Sequence, residues 1–295
     1  MFEKDLYVGY DNFLIERPFN FSQHSSIGCG GCAKIAFYPR NEDELISLIS
    51  RLKSEEREYL VIGNLTNVLP SDLGTDKAVV CTKKLNAVKR LDEARVYAEA
   101  GVLSGALLDF LRREGLEGAE FLAGIPCTLG GALYMNAGAG GEYIETLVES
   151  VRVYRNGKVE TLSKNDCAYA YKDSVFMQGD IVIIGGVLRL KESSPEMVFA
   201  RQRGYIQKRI RLPKGKSMGC VFKNTPTAPA GELIDKAGLK GMRVGGAIVS
   251  KEHANFIIND KKATAREIKS LITLVKNAVY AQYGVCLEEE IRYLE

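Results

Sequence analysis

The stretch that decides the fold runs from residue 118 to residue 141 and reads Gly-Ala-Glu-Phe-Leu-Ala-Gly-Ile-Pro-Cys-Thr-Leu-Gly-Gly-Ala-Leu-Tyr-Met-Asn-Ala-Gly-Ala-Gly-Gly. Seven of these residues are glycine, and mostly apolar side chains stand between them, whereas a flexible linker carries polar ones. Glycine among core-forming residues marks backbone with a positive φ, or backbone too close to a partner for a side chain. The partner is another strand or a bound ligand, and the stretch alone does not distinguish the two.

The rest of the composition is that of an ordinary folded protein. The 295 residues, 46% hydrophobic and 26% charged, suffice for two or three domains. A net charge of +3 gives no reason to expect nucleic acid or an anionic membrane as a partner. The charged N-terminus, Met1–Asp5, predicts no signal segment, and no apolar run suits a membrane helix. The odd number of scattered cysteines predicts reduced thiols and a cytoplasmic protein.

Hydrophobic periodicity predicts alternating helices and strands before the glycine-rich stretch. Residues 41–53 combine an Asn41 cap with Glu44 and an apolar stripe, which predicts an amphipathic helix. Residues 104–114 predict a second helix, capped by Ser104. Short apolar runs predict strands at 59–62, 78–82 and 96–100.

The second half continues with a hairpin and then changes in composition. The pair Asn156-Gly157 predicts a hairpin between 150–154 and 159–162, and a strand at 181–190 has a bulge signal at Gly185. A polar stretch at 191–195 marks a domain boundary. Beyond it we predict helices at 197–210, 232–237 and 264–283 and strands at 247–250, 256–259 and 285–293. This mixture is typical of an α+β protein.

Two loops are suited to holding phosphate through successive backbone N–H groups, although each is equally well explained as a tight turn. They are Gly63–Asn67, after a predicted strand, and Gly124–Gly131, around Thr128. The run 28–33 matches the pattern G-x-G-x-x-A but lacks the flanking strand and helix of a dinucleotide site, so we reject it. Its two cysteines have no further ligand pair nearby, and we predict no metal site.

Five motifs follow one another in a recognisable order: 120–138 within the opening stretch, 219–224 (Gly-Cys-Val-Phe-Lys-Asn), 237–247, 249–259 and 287–290 (Leu-Glu-Glu-Glu). In these motifs and their order the chain resembles the UDP-N-acetylenolpyruvoylglucosamine reductases over nearly its whole length. Those FAD enzymes make UDP-N-acetylmuramic acid for bacterial peptidoglycan.

The resemblance implies a fold of the vanillyl-alcohol-oxidase type. Two α/β subdomains, at 1–83 and 84–195, would hold FAD without a covalent bond. A substrate-binding α+β domain at 196–295 would close over the UDP-sugar, and its last strand would return toward the FAD-binding part. The resemblance also implies NADPH as the reductant and a monomer without nucleic acid or membrane partners.

The resemblance further assigns residues to the site. Cys220 falls where the family has a proton-donating serine, and a thiol protonates a carbanion readily. Glu290 and Lys172 would flank the substrate carboxylate, Lys172 standing where the family has arginine with its bidentate fork. Asn224, Arg211 and Ser174 would bind the rest of the substrate. The residues expected to bind FAD are Gly63, Asn64, Leu65, Thr66, Asn67, Ile125, Pro126, Cys127, Thr128, Gly130, Gly131, Asn136 and Gly138.

Leu65 and Cys127 depart from the family pattern, which has glycine at both positions. Each puts a side chain where backbone is expected to approach the FAD diphosphate, so both predict weakened FAD binding. Two alternatives therefore stay open beside the reductase. One is a different FAD oxidoreductase on the same scaffold, and the other is a non-catalytic relative that binds a nucleotide or a partner.

Overall fold

A computed structural model describes Tyr7 and residues 9–295, so the charged N-terminus Met1–Asp5 lies outside the described residues. The N-terminal part of the fold contains short strands and two helices. These are β1 (Ile15–Glu16), β2 (Phe19–Asn20), α1 (Phe21–His24), β3 (Cys32–Ala33), β4 (Ala36–Phe37), α2 (Glu42–Ser54), β5 (Tyr59–Ile62), β6 (Val68–Pro70) and β7 (Ala78–Cys81).

Helix α2 covers a four-stranded sheet of order β1-β4-β7-β5, in which β4, β7 and β5 run parallel. The four buried residues of its apolar stripe pack in one cluster with Phe37 and Val80 of the sheet. The Asn41 side chain accepts the backbone N–H of Glu44, which confirms the predicted cap. The run 28–33 leads into strands rather than a helix, which confirms the rejection of a dinucleotide site there.

The middle of the chain forms a larger antiparallel sheet with helices on it. Its elements are β8 (Val88–Arg90), β9 (Arg95–Glu99), α3 (Ser104–Arg113), β10 (Leu116–Glu117), α4 (Leu129–Tyr134), β11 (Gly138–Ala139), β12 (Glu142–Tyr143), β13 (Val148–Arg155), β14 (Lys158–Ser163), β15 (Val182–Arg189), β16 (Lys191–Glu192) and α5 (Pro195–Arg209).

The order of the larger sheet is β14-β13-β15-β9-β8. The predicted hairpin is confirmed, and Asn156 and Gly157 both have the positive φ that its tight turn requires. The register between β13 and β15 shifts next to Gly185, which confirms the predicted bulge. The predicted Ser104 cap is wrong: Leu103 takes the cap position, because the Ser104 hydroxyl donates to the carbonyl of Ile125.

The C-terminal part packs two helices around a small sheet of order β17-β18-β19. Its elements are α6 (Ala230–Lys236), β17 (Arg243–Val244), β18 (Ala247–Val249), β19 (Ile257–Asn259), α7 (Ala265–Tyr283) and β20 (Arg292–Leu294). Helix α7 is the longest at 19 residues, and none of the described helices could cross a membrane.

The predicted strand at 285–293 is wrong over most of its length. Only β20 is a regular strand there, and it pairs in parallel with β6 of the N-terminal part. Residues 288–290 lie instead beside 221–223, where the pairing is limited to one isolated bridge between Phe222 and Glu289. The last segment thus crosses from the C-terminal core to the N-terminal part.

We predict that Thr264→Ala lowers the free energy of unfolding by about 1 kcal/mol, as loss of a capping side chain does. Thr264 accepts the backbone N–H of Glu267, whose carboxylate in turn accepts the backbone N–H of Thr264. Thr273→Ala in the exposed middle of α7 is the control and should change stability by less than about 0.5 kcal/mol. Urea unfolding measures both, and equal effects would contradict the capping role.

Candidate active site

The backbone of residues 220–223 lies between two other segments of the chain and places Cys220. On one side the Val221 N–H donates to the carbonyl of Asn255. On the other side the Glu290 N–H donates to the carbonyl of Val221. The Asn255 side chain binds both backbone groups of Phe222, at 2.8 Å each, and fixes the register. Cys220 and Glu290, 70 residues apart in sequence, are therefore held next to each other.

Lys172 and Glu290 form an ion pair, with 2.8 Å between Lys172 Nζ and Glu290 Oε1. Both side chains are largely buried, at 13% and 15% exposure. Lys172 stands with a φ of +55° at the tip of a tight turn, which Ala170 and Asp173 close through two backbone hydrogen bonds. A partly buried pair contributes little net stability, so its position points to a role in orienting charge.

Cys220 is next to this pair, and its thiol is kept protonated. Burial, and after it the nearby Glu290 carboxylate, raises the pKa of Cys220 to about 11. Lys172 and Arg209 act in the opposite direction. A thiol of this pKa carries its proton throughout the neutral range, and the two cations favour the thiolate over the position that burial and Glu290 alone would give.

The first candidate phosphate loop offers a row of unused backbone donors. None of the N–H groups of Gly63–Asn67 donates a hydrogen bond to an acceptor in the part of the chain that the structure describes. Leu65 has a φ of +51°, and such left-handed residues in a turn make successive amides point into one concavity. These residues fit an anionic diphosphate.

Leu65 does not stand between this loop and a ligand. Its side chain is 5% exposed and packs in a cluster with Phe21, Ile62 and Val79 beneath the loop. Its carbonyl accepts the N–H of Ser26 at 3.1 Å. Leu65 thus adopts the backbone conformation that glycine takes freely and buries its side chain in the core, which argues against an obstruction of the diphosphate.

The second loop lies against the first. The Asn64 side chain donates to the carbonyl of Pro126 at 2.8 Å, and Gly63 is so close to Thr128 Oγ1 that no Cβ fits. Most amides of the second loop are already used within the protein; Ile125, Cys127, Leu129, Gly130 and Gly131 all donate to protein acceptors. Gly130 has a further constraint, since a Cβ there would lie 3.0 Å from the carbonyl oxygen of Ala100.

Cys127 likewise points inward. Its side chain is 9% exposed within the core of the larger sheet, and burial raises the pKa of its thiol to about 11. Its carbonyl accepts the N–H of Ser104 at 2.9 Å. Like Leu65, Cys127 therefore has its side chain in the core.

Asn136 and Ser174 lie beneath the turn that carries Lys172 rather than open to a ligand. Both are 1% exposed. The Asn136 amide donates to the carbonyl of Ala170, and the Ser174 hydroxyl donates to the carbonyl of Tyr134. Their polar atoms are occupied by protein, so the structure gives both a bracing role in place of the predicted ligand contacts. At Gly138 a Cβ would lie 2.4 Å from the carbonyl oxygen of Glu142 in β12, so no side chain fits there.

Of the remaining predicted residues, Asn67 is hydrogen-bonded to Glu290, whereas Asn224 and Arg211 are exposed. Asn67 connects the first loop to the reaction centre, because its side chain donates to the carbonyl of Glu290 at 3.0 Å. Asn224 is exposed, and its backbone N–H donates to the hydroxyl of Tyr171, beside Lys172. Arg211 is exposed as well and follows α5. Thr66 lies in the first loop, partly buried.

Arg209 is a site residue that the sequence patterns did not single out. It ends α5, and its Cδ is 2.8 Å from where a Cβ on Gly124 would stand. It is close enough to Cys127 and Cys220 for their charges to affect it, while burial lowers the pKa of its guanidinium. The signal available in the sequence was the spacing of four among Arg201, Tyr205 and Arg209, which places them on one face of a helix.

Comparisons with known proteins agree with this geometry. Residues 33–163 match a family model described as FAD binding domain, and residues 211–294 match the C-terminal domain of UDP-N-acetylenolpyruvoylglucosamine reductase. The reductase of Geobacter metallireducens is 38% identical over 92% of this chain and 91% of its own length. That of Clostridioides difficile is 34% identical over 100% of this chain and 99% of its own.

The chain belongs to the UDP-N-acetylenolpyruvoylglucosamine reductase family. The solved reductase from Thermus caldophilus superposes with a TM-score of 0.83 at 31% identity, covering 96% of this chain and all of that one. The predicted fold class is thereby confirmed: an α+β protein with an FAD-binding part of the vanillyl-alcohol-oxidase type and a C-terminal domain. The exact divisions near residues 83 and 195 stay predictions.

We predict that Leu65→Gly destabilises the protein without improving FAD binding. Loss of the buried side chain costs about 2–5 kcal/mol, while relief of the left-handed backbone returns about 1–2 kcal/mol. Leu65→Ala is the matched control and should be less stable than Leu65→Gly, because alanine keeps the backbone penalty. Urea unfolding and FAD titration measure the effects; tighter FAD binding by Leu65→Gly would show that the leucine does obstruct the diphosphate.

We also predict that the rate of Cys220 alkylation by iodoacetamide keeps rising, about tenfold per pH unit, from pH 7 to pH 10. Only the thiolate reacts, and a pKa of about 11 keeps the thiolate fraction small over this range. Mass spectrometry of the Cys220 peptide follows the reaction, with circular dichroism as the check that the fold persists. A plateau below pH 9 would contradict a buried, protonated thiol.

Proposed function

We propose that this chain reduces the enolpyruvyl ether of UDP-N-acetylglucosamine to UDP-N-acetylmuramate, a step of peptidoglycan synthesis, with FAD as cofactor and NADPH as reductant. The observation that carries the proposal is the Cys220 thiol beside the buried Lys172–Glu290 pair. It provides a proton donor and a site for a carboxylate in one place, which is what reduction of a carboxylated double bond requires.

Bound FAD would supply the hydride chemistry that links oxidation of NADPH to reduction of the vinyl group of the substrate. The amides of Gly63–Asn67 would donate to its diphosphate, and the second loop lies against them through the hydrogen bond from Asn64 to the carbonyl of Pro126. We assign these loops, rather than Asn136 or Gly138, to direct contact with the cofactor.

Cys220 completes the addition. The hydride forms a C–H bond at the CH₂ carbon, and the electron pair of the double bond moves to the carbon that bears the carboxylate. The proton on Cys220 Sγ then goes to that carbon, leaving a thiolate on the protein and a lactyl ether on the sugar. Lys172 and Arg209 stabilise the thiolate until it takes a proton from water.

Lys172 and Glu290 act as a unit. Glu290 holds the ammonium group at 2.8 Å, so that the two remaining N–H donors of Lys172 have a fixed direction toward the substrate carboxylate. Glu290 is itself held by its backbone bonds to Val221 and Asn67. Asn224 and Arg211, exposed beside the reaction centre, are assigned to the sugar nucleotide.

A non-catalytic relative is not favoured. The sequence features that suggested it were Leu65, Cys127 and Lys172, and the first two side chains turn into the core while the third is paired in the site. We further propose that a single chain suffices, since Lys172, Arg209, Cys220 and Glu290 meet within one chain. The cytoplasm is the compartment in which NADPH and UDP-sugars are available.

Cys220→Ala tests the proposal. The purified protein should bind FAD and turn yellow, and NADPH should bleach it at the wild-type rate, because Cys220 takes no part in that half-reaction. Reoxidation by the enolpyruvyl substrate should slow by about 10²–10⁴-fold, the range for loss of a general acid. Stopped-flow absorbance at 450 nm resolves the two half-reactions.

Cys220→Ser is the matched control and should keep part of the reoxidation rate, because a hydroxyl also donates a proton. Equal slowing of both half-reactions by Cys220→Ala would count against the proton-donor role. A protein that stays colourless after addition of FAD would exclude the reductase altogether.

A further inference from the structure

Arg209 is a partly buried cation that lacks the partner its position calls for. Among the described residues, its guanidinium forms no ion pair and donates no hydrogen bond. Burial disfavours its charge, and an arginine carries five N–H donors that need acceptors when removed from water. Such a group is normally paired, and the guanidinium of Arg209 therefore has its donors available for an anion from outside the chain.

The other polar residues on the same face of α5 do have partners. Arg201 pairs with Glu117 at 3.0 Å, and the Tyr205 hydroxyl donates to Glu142. The face therefore meets Glu117 at Arg201, Glu142 at Tyr205 and Gly124 at Arg209. Arg209 is the last polar residue on this face. Its side chain lies against Gly124, and its guanidinium has no acceptor in the described part of the chain.

The position of Arg209 beside Cys220 limits what the anion is. This step rests on the proposed function: the carbon that takes the proton from Cys220 is the carbon that bears the substrate carboxylate. That carboxylate must therefore lie within one carbon–carbon bond of the atom that Sγ–H approaches. An anion brought this close to Cys220 is also brought close to Arg209.

The charges of the site point the same way. Lys172 and Glu290 neutralise each other at 2.8 Å, so on their own they offer no net charge to a carboxylate. Arg209 brings the sum of the three side chains to +1, which matches a single carboxylate. Lysine at position 172 also lacks the planar fork with which a guanidinium binds both carboxylate oxygens.

We propose that Arg209 is the guanidinium that binds the substrate carboxylate in this chain, making up for the lysine at position 172. Specificity for the enolpyruvyl ether over the sugar nucleotide alone then depends on a residue of α5. Lys172 and Glu290 contribute orientation, and Arg209 contributes the net charge and the fork.

Binding to the oxidised, FAD-loaded protein tests this without turnover. Calorimetry compares two ligands, the enolpyruvyl ether of UDP-N-acetylglucosamine and UDP-N-acetylglucosamine, which lacks the carboxylate. For Arg209→Gln we expect about 10–100-fold weaker binding of the first ligand, as for loss of hydrogen bonds to a charged group, and unchanged binding of the second. Arg203→Gln, at an exposed arginine of the same helix, is the control and should leave both affinities unchanged.

Adding Lys172→Arg to Arg209→Gln should restore part of the lost affinity, because it returns a guanidinium fork to the site. A merely structural role of Arg209 predicts no such rescue, and circular dichroism checks that each variant is folded. Equal weakening of both ligands by Arg209→Gln, or no weakening, would overturn the proposal while leaving the reductase function standing. A wild-type protein that does not distinguish the two ligands would instead overturn the proposed function itself.

Discussion

The reaction centre depends on residues 220–223 being hydrogen-bonded on both sides. One neighbour comes from the C-terminal sheet through Asn255, and the other comes from the last segment through Glu290. The last segment then continues into β20, which pairs with β6 of the N-terminal part, and Asn67 just before β6 holds the Glu290 carbonyl. The thiol, the carboxylate and the first phosphate loop are thus parts of one hydrogen-bonded assembly.

Burial then decides the chemistry of this assembly. It raises the pKa of Cys220, which keeps the thiol protonated in the neutral range, as the proton-donor role expected from the sequence requires. Burial also makes the Lys172–Glu290 pair tight and leaves Arg209 as an uncompensated charge. The site has a net positive charge beside an un-ionised acid, an arrangement suited to an anionic substrate that must be protonated.

Leu65 and Cys127 stand where the family pattern has glycine, and at neither position does the identity of the residue reveal which way its side chain points. At Leu65 the backbone takes the left-handed conformation that glycine adopts freely, at a cost of about 1–2 kcal/mol. The buried leucine offsets this cost by packing under the loop. At Cys127 the side chain joins the core of the larger sheet. Neither side chain faces the amides of Gly63–Asn67.

Local patterns in the sequence were sufficient for the helices α2 and α7 and the hairpin around Asn156, because caps, turns and periodicity act over a few residues. Motif order was sufficient for the family, and it selected Cys220, Lys172 and Glu290, which the structure brings together. Only the tertiary structure decided the rest. The direction of Leu65 and Cys127, the bracing roles of Asn136 and Ser174 and the irregular course of residues 285–291 all depend on long-range neighbours. The environment of Arg209 also depends on long-range neighbours, because segments 117–127 and 219–224 form it. No local sequence pattern encodes which distant segments contact a side chain.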